Sequence, residues 1–120
     1  TRLNESQLHY EIVVARDIIQ KLIGIAPVCF RPPYELKNKQ VQHFIDSHNL
    51  ILVPDAFDTK DYSRINAEKL AKRVRENAQS ERVFLFHDGY AHREKTVDAL
   101  PKIIAGIRQK GLGFSTICMP

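Results

Sequence analysis

The sequence predicts an α/β fold in which a parallel sheet is covered by helices. Short, near-continuous apolar runs alternate with amphipathic segments along the whole chain, and prolines or glycines separate them. Uninterrupted apolar strands of this kind are typical of parallel sheets that are buried on both faces. The chain also opens with a helix, although such a crossover helix normally follows a strand of the same sheet. The predicted strands therefore form either a small open sheet or half of a barrel.

Four helices are predicted from apolar residues at helical spacing, over residues 4–24, 37–48, 66–78 and 98–110. In the first helix, Asn4 is the expected N-cap and Gln7 completes a capping box. Gly24 follows its last turn, as is common at a helix C-terminus. In the last helix, Pro101 falls in the predicted first turn, where the missing N–H of proline is tolerated.

Four strands are predicted between the helices, over residues 28–30, 50–53, 83–86 and 114–118. The first strand ends at Arg31-Pro32-Pro33, because two prolines cannot continue a central strand. A loop over residues 54–63, with three aspartates, follows the second strand. No linker, repeat or low-complexity segment interrupts this order, so the chain is interpreted as one domain or one piece of a domain.

The 120-residue composition is that of a soluble globular protein, with 43% hydrophobic and 27% charged residues. The net charge of +4 does not predict a nucleic-acid-binding patch, because the basic residues alternate with acidic ones on a predicted helix face. No apolar run approaches the roughly 20 residues that span a bilayer. Cys29 and Cys118 each lie in an apolar run, which favours buried free thiols and leaves a disulfide as the alternative.

Side chains with catalytic potential follow three of the predicted strands. They are Arg31, Asp55, Asp58, Asp61, His87 and Asp88. The carboxyl ends of parallel strands lie on one face of an α/β fold, so these residues are expected to converge there. Each residue alone is more often structural, as aspartates in turns are. Their joint placement at three strand ends favours a functional site.

Three motifs resemble those of a known family. Arg31-Pro32-Pro33-Tyr34, Asp58-Thr59-Lys60-Asp61-Tyr62 and Leu85-Phe86-His87-Asp88 are similar to motifs three, four and five of the polysaccharide deacetylases. This is carbohydrate esterase family 4, also called the NodB homology domain. Residues 3–24 and 100–117 resemble the family's helix after motif two and its closing helix and strand. The resemblance implies that residues 1–120 are the C-terminal portion of a distorted (β/α) barrel, with four β/α units.

The reaction that the resemblance implies is metal-dependent hydrolysis of N-acetyl groups from an amino-sugar polymer. Peptidoglycan or chitin-like N-acetylglucosamine is the expected substrate class, and acetylated xylan is the alternative. The family's catalytic Asp and the ligands of its divalent metal, here expected to be zinc, belong to motifs that precede Thr1 in the family's order. No metal ligand is therefore expected in this chain. Secretion or a place in the cell envelope is implied by the family alone.

The resemblance also assigns roles to individual residues. His87 is expected to protonate the leaving amine, and Asp61 is expected to hold and charge it. The backbone N–H of Tyr34 is the expected oxyanion donor, because the two prolines before it have none. Arg31 is expected to orient the catalytic Asp of the upstream half. Leu85 and Tyr62 are expected to line the pocket for the acetyl methyl group.

The other histidines do not match the family's metal ligands. His9, His43 and His48 fall on or just after predicted helices, and His92 is a candidate for substrate contact in the loop after motif five. The sequence departs from the family at Glu35, where Gly is usual, and at Tyr62, where Trp is usual.

Two other functions stay open. One is a non-catalytic carbohydrate-binding relative of the deacetylases, although sugar binding alone would not need the set of Arg31, Asp61 and His87. The other is a flavodoxin-like module for a phosphorylated ligand. No Gly-rich phosphate loop follows any predicted strand, which weakens the second of these.

Overall fold

The computed structural model describes residues 3–89 and 93–118, along which helices alternate with short parallel strands. The chain divides into two compact units. The first unit comprises the residues up to Pro54 together with those from Thr116 on, and the second unit is Asp55–Ser115. Each unit contains one pair of parallel strands and one apolar core. The predicted α/β class with parallel strands is confirmed.

The first unit begins with a continuous helical segment. It runs from α1 (Glu5–Leu8) through a π-helical stretch (His9–Val14) into α2 (Ala15–Ile23). The predicted capping box is present, since the N–H of Gln7 donates to the Asn4 side chain at 3.0 Å and the N–H of Asn4 donates to the Gln7 side chain at 2.9 Å. Gly24 ends the segment at φ 77°, a left-handed conformation that glycine adopts without a steric penalty.

The rest of the first unit is one β/α unit with a second strand. Strand β1 (Cys29–Phe30) pairs in parallel with β2 (Ile51–Leu52), and α3 (Lys39–Ser47) connects them. Helix α3 begins two residues later than predicted, because Asn38 caps it by accepting the N–H of Val41 at 2.9 Å. The core of this unit is formed by Leu8, Ile12, Val41, Phe44, Ile45 and Leu50.

The second unit repeats the pattern. Strand β3 (Phe57–Asp58) pairs in parallel with β4 (Phe84–Leu85), and helices α4 (Ala67–Asn77) and α5 (Glu94–Gln109) pack against each other. The core is formed by Leu70, Ala71, Val74, Ala78, Ala99, Ile103 and Ile107. A Cβ at Gly106 would lie 3.1 Å from Cδ of Arg75, so glycine permits the close approach of the two helices.

Two elements of the second unit differ from the sequence prediction. Strand β3 lies inside the segment 54–63, which the sequence predicted as a loop. Helix α5 begins at Glu94 and not at Asp98, so Pro101 lies inside the helix and not in its first turn. The helix tolerates Pro101 because the carbonyl that loses its partner is that of Val97, and both residues are on the exposed side where water can solvate it.

The predicted last strand, residues 114–118, is not a strand in the structure. A strand needs a neighbouring backbone to pair with, and none of the described backbone hydrogen bonds joins this segment to another strand. The interpretation of Cys29 and Cys118 as free thiols is also wrong. The two residues form a disulfide with their Cα atoms 6.2 Å apart, so the end of the described chain is covalently attached to β1.

Candidate active site

The turn that follows β3 carries the residues of the predicted motif four. The side chain of Thr59 is buried, and its hydroxyl donates to the carbonyl of Leu85 at 2.7 Å. Arg73 of α4 in turn donates to the carbonyl of Thr59 at 2.9 Å. These bonds attach the turn both to β4 and to α4. They fix the backbone just before Asp61.

Asp61 is completely buried, and its carboxylate accepts three hydrogen bonds. The backbone N–H of His87 donates to Oδ2 at 2.8 Å, and Nδ1 of the same residue lies 2.7 Å from Oδ1. The hydroxyl of Thr96 donates to Oδ2 at 3.1 Å. A buried carboxylate is costly unless such donors satisfy it, so this set explains how Asp61 is accommodated.

The same contacts determine the protonation of Asp61 and the tautomer of His87. Burial alone would raise the pKa of Asp61, but the bonds from the N–H and imidazole of His87 and from the Thr96 hydroxyl outweigh it and hold that pKa below its usual value. The carboxylate is therefore charged at neutral pH. Because a carboxylate only accepts, Nδ1 of His87 must carry the proton, and Nε2 is the nitrogen that can exchange one.

Tyr62 lies against the imidazole of His87. The two rings meet edge to face, with centroids 5.2 Å apart. The phenol hydroxyl donates to Oδ2 of Asp58 at 2.8 Å, and this bond raises the pKa of Tyr62 above its usual value. Asp58 also accepts the N–H of Lys60 at 2.9 Å, so it organises the loop, which is the role that the sequence analysis considered for it.

A pocket of about 320 Å³ opens beside the imidazole of His87. It is lined by Phe86, His87, Asp88, Arg93, Thr96, Val97 and Leu100. The side chain of His87 is 38% exposed, so the imidazole can contact both Asp61 and a bound molecule. The predicted pocket residues Leu85 and Tyr62 are not among these lining residues, and their acetyl-pocket roles stay predictions.

In the first unit, the predicted motif-three residues form a tight turn after β1. Tyr34 and Glu35 both have positive φ angles, 56° and 55°, which are sterically costly for residues other than glycine. The guanidinium of Arg31 donates to Oε1 of Glu35 at 2.5 Å. Glu35 thus adopts the left-handed conformation for which the family's usual glycine is suited, and its carboxylate binds the arginine.

The backbone N–H of Tyr34 stays a predicted oxyanion donor. The hydrogen bonds within this turn are donated by the N–H groups of Glu35 and Leu36, and none of the bonds among the described residues is donated by that of Tyr34. Tyr34 as a whole residue is 93% exposed.

The predicted site residues fall into both units. Asp61, Tyr62 and His87 are in direct contact in the second unit, where Leu85 also lies. Arg31 and Tyr34 belong to the first unit. The exposed Asp88 lines the pocket, and Asp55 is an exposed residue that lies before β3.

Thr96 is the functional candidate that the sequence analysis missed. Its hydroxyl contacts Asp61, but the predicted helix began two residues after it. A signal was present, since Thr96 lies three and seven residues before Ala99 and Ile103 on the buried face of α5. A hydroxyl on a buried helix face needs a partner, and that need could have directed attention to it.

Among residues 3–89 and 93–118, no three His, Cys, Asp or Glu side chains are grouped so that they could hold a metal ion. His9 and His43 are exposed, and His48 is half-buried and stacks on the ring of Phe44 at 4.1 Å, as expected for helix residues. His92 lies outside the described residues.

None of the helices in the described part of the chain is both long and apolar enough to cross a bilayer.

Comparisons with known proteins identify several relatives, although no family model matches the chain. A peptidoglycan-N-acetylglucosamine deacetylase of Bacillus cereus is 31% identical over 118 residues, which cover 97% of this chain and 42% of the relative. A solved peptidoglycan N-acetylglucosamine deacetylase, in complex with 4-naphthalen-1-yl-N-oxidanyl-benzamide, superposes with a TM-score of 0.85 at 28% identity. That match covers 97% of this chain and 55% of the other.

A further solved structure is similar and contains a metal. It is a family 4 acetyl xylan esterase from Clostridium thermocellum in complex with a cobalt ion, and it superposes with a TM-score of 0.77 at 25% identity. The match covers 92% of this chain and 53% of that one. The chain thus spans about half the length of each of these three proteins.

Proposed function

Because the chain belongs to the polysaccharide deacetylases of carbohydrate esterase family 4, as their C-terminal part, we propose that it carries the proton donor of a deacetylase. The reaction is hydrolysis of N-acetyl groups on an amino-sugar polymer. The observation that supports this most strongly is the contact of Nδ1 of His87 with the buried carboxylate of Asp61 at 2.7 Å. It joins two of the family's motifs in the arrangement that proton donation requires.

His87 acts on the leaving group. When an amide is hydrolysed, the departing nitrogen must take up a proton, because an amine anion is a poor leaving group. With Nδ1 bound to Asp61, Nε2 is the ring nitrogen that can exchange a proton, and His87 is one of the residues that line the pocket. The Asp61 carboxylate stabilises the imidazolium that forms when Nε2 gains its proton, and it keeps the ring in one orientation.

Tyr34 and Arg31 have two further roles in this proposal. The N–H of Tyr34 donates to the oxyanion of the tetrahedral intermediate, and a donor of this kind contributes about 3 kcal/mol to a transition state. Arg31 orients the carboxylate that activates water. Leu85 and Tyr62 contact the acetyl methyl group of the substrate. The edge-to-face contact of Tyr62 with His87 supports its placement, since the ring remains next to the proton donor although Trp is usual there.

An upstream segment completes the site. We place in it the catalytic Asp and the ligands of a divalent metal, zinc, because the family's motifs that carry them precede motif three in the family's order. The cobalt ion in the similar acetyl xylan esterase supports metal dependence. With that segment, residues 1–120 form the C-terminal portion of a single distorted (β/α) barrel.

The substrate in this proposal is peptidoglycan or a chitin-like polymer of N-acetylglucosamine. Relatives named peptidoglycan deacetylases support it, and the acetyl xylan esterase keeps acetylated xylan as the alternative. A secreted or cell-envelope location is consistent with such a substrate. The Cys29–Cys118 disulfide also supports that location, because disulfides persist in oxidising compartments.

A non-catalytic carbohydrate-binding protein is the second candidate. The pairing of Arg31 with Glu35 favours it, because it occupies a guanidinium that the deacetylase mechanism assigns to a carboxylate of the upstream segment. The presence of the complete Asp61–His87 contact favours catalysis, since binding a neutral sugar does not require a buried carboxylate behind a histidine.

The experiment is to measure bound metal and acetate release from chitooligosaccharides, for this chain alone and for the protein with the upstream coding segment joined to it. The proposal expects metal and activity only in the joined protein. A joined protein that binds the sugar, but neither binds metal nor releases acetate, would establish the second candidate instead.

A further inference from the structure

The Asp61 carboxylate has a second neighbour besides His87. The hydroxyl of Thr96, in the first turn of α5, donates to Oδ2 of Asp61 at 3.1 Å across 35 residues of sequence. Thr96 is only 6% exposed, and Asp61 is completely buried. Water therefore has little access to replace this donor. The bond connects α5 directly to Asp61, the carboxylate that contacts the proposed proton donor His87.

We propose that Thr96 is a positioning residue of the deacetylase site, which fixes the Asp61 carboxylate so that Oδ1 faces the imidazole of His87. This inference rests on the proposed function, because it assigns Thr96 a part in proton donation. It adds a residue of α5 to a pair, Asp61 and His87, that lies after strands β3 and β4.

The geometry distinguishes the two oxygens of the carboxylate. Oδ2 accepts from the N–H of His87 at 2.8 Å and from the hydroxyl of Thr96 at 3.1 Å, whereas Oδ1 accepts only from Nδ1 of His87 among the described bonds. Two donors on Oδ2 fix the rotation of the carboxylate plane. With that rotation fixed, Oδ1 lies 2.7 Å from Nδ1 and holds the imidazole in one orientation.

Thr96 is not needed at this position as a helix cap. Its own N–H donates to the carbonyl of Arg93 at 2.9 Å, and this backbone bond does not depend on the hydroxyl. The residue also lines the pocket beside His87. A buried aliphatic side chain would satisfy the packing at this position, so the hydroxyl is explained by the bond to Asp61 and not by the helix alone.

The test compares Thr96→Val, which keeps the shape and removes the donor, with Thr96→Ser, which keeps the donor. Thr116→Val serves as the matched control, because Thr116 is exposed and belongs to the other unit. All variants are made in the protein joined to its upstream segment. Carbon-13 NMR follows the titration of the Asp61 carboxyl, and acetate release from chitooligosaccharides gives kcat and KM.

In Thr96→Val, the loss of the hydroxyl should raise the pKa of Asp61 towards its usual value, because that hydrogen bond contributes to lowering it. We expect kcat to fall about 5-fold with KM unchanged, the effect of losing one hydrogen bond of ordinary strength. Thr96→Ser and Thr116→Val should behave as the unsubstituted protein. If Thr96→Val does not fold, Thr96→Ala removes the same donor and replaces it in both measurements.

The two readouts separate this inference from the proposed function. An unchanged Asp61 titration and an unchanged kcat in Thr96→Val would overturn the positioning role, even in an active deacetylase. An equal loss of kcat in Thr96→Ser would also overturn it, because the donor is retained there. A joined protein without deacetylase activity would instead refute the proposed function, and the Asp61 titration would still show whether Thr96 holds the carboxylate.

Discussion

The imidazole Nδ1 of His87 lies 2.7 Å from Oδ1 of Asp61, and the backbone N–H of the same histidine donates to Oδ2 at 2.8 Å. One carboxylate therefore fixes both the main chain and the ring of His87. The two residues are separated by 26 positions and follow different strands, β3 and β4. Their contact depends on the parallel pairing of those strands, so the fold and the site are formed by the same interactions.

Replacing Asp61 with Asn should disrupt this contact. The Asn side chain has one oxygen, which accepts hydrogen bonds, and one NH2 group, which only donates them. One of the donors that now contact Asp61 would therefore face an NH2 group, at a cost of about 1–3 kcal/mol in the free energy of unfolding. If the amide faces the ring, the proton moves from Nδ1 to Nε2 of His87, and turnover should fall by about 10²-fold or more. Nitrogen-15 shifts of the imidazole report the tautomer. A ring that keeps its proton on Nδ1 at full activity contradicts this expectation.

Stability at acid pH should depend on the same carboxylate. The folded-state pKa of Asp61 is below its unfolded value, so the charged form stabilises the fold fully above the ordinary Asp range. This contribution decreases as the pH falls below that range and through the lower folded-state pKa. Urea unfolding of the unsubstituted protein and Asp61→Asn at several pH values checks this. The difference in unfolding free energy should shrink in acid, and a difference independent of pH would refute the linkage.

The sequence analysis predicted the convergence of Asp61 and His87 better than the boundaries of the elements. The parallel topology predicted that residues at the strand ends lie close together, and the family resemblance implied the contact between these two. The strand at Phe57 could not be predicted from the sequence, because its two residues pair with a distant segment and have no local periodicity. The start of α5 was missed because Pro101 indicated a first turn at that position. Tertiary packing of Thr96 and Ala99 instead extends the helix on the N-terminal side of Pro101.

The left-handed conformation of Glu35 leads to a stability prediction. Glu35→Gly removes a steric cost of about 1–2 kcal/mol. It also removes an ion pair with Arg31 worth about 0–1 kcal/mol and raises the entropy of the unfolded chain, and both of these effects oppose folding. The net result should be an increase of about 0.5 kcal/mol in the free energy of unfolding, measured by urea denaturation. Glu35→Gln is the control, since it retains the strained backbone and should be no more stable. A Gly variant less stable than the Gln variant contradicts the account.

The disulfide should contribute strongly to stability because it closes a long loop. Cys29 and Cys118 are separated by 89 positions, and the chain-entropy model gives about 3–5 kcal/mol for loops of this size. Replacing both cysteines with Ser should therefore lower the midpoint of thermal unfolding, and so should a reductant. The reductant should leave the double-Ser variant unaffected. Two free thiols in the mass spectrum of the untreated protein would show that the bond is not formed.

The central claim, that His87 is the proton donor, is tested most directly by acetate release from chitooligosaccharides with the protein joined to its upstream segment. His87→Ala should reduce turnover by about 10²-fold or more with the metal content retained, because the leaving amine then lacks its proton donor. His43→Ala, which removes an exposed helix histidine, should leave turnover unchanged. Unchanged turnover in His87→Ala would remove His87 from the mechanism.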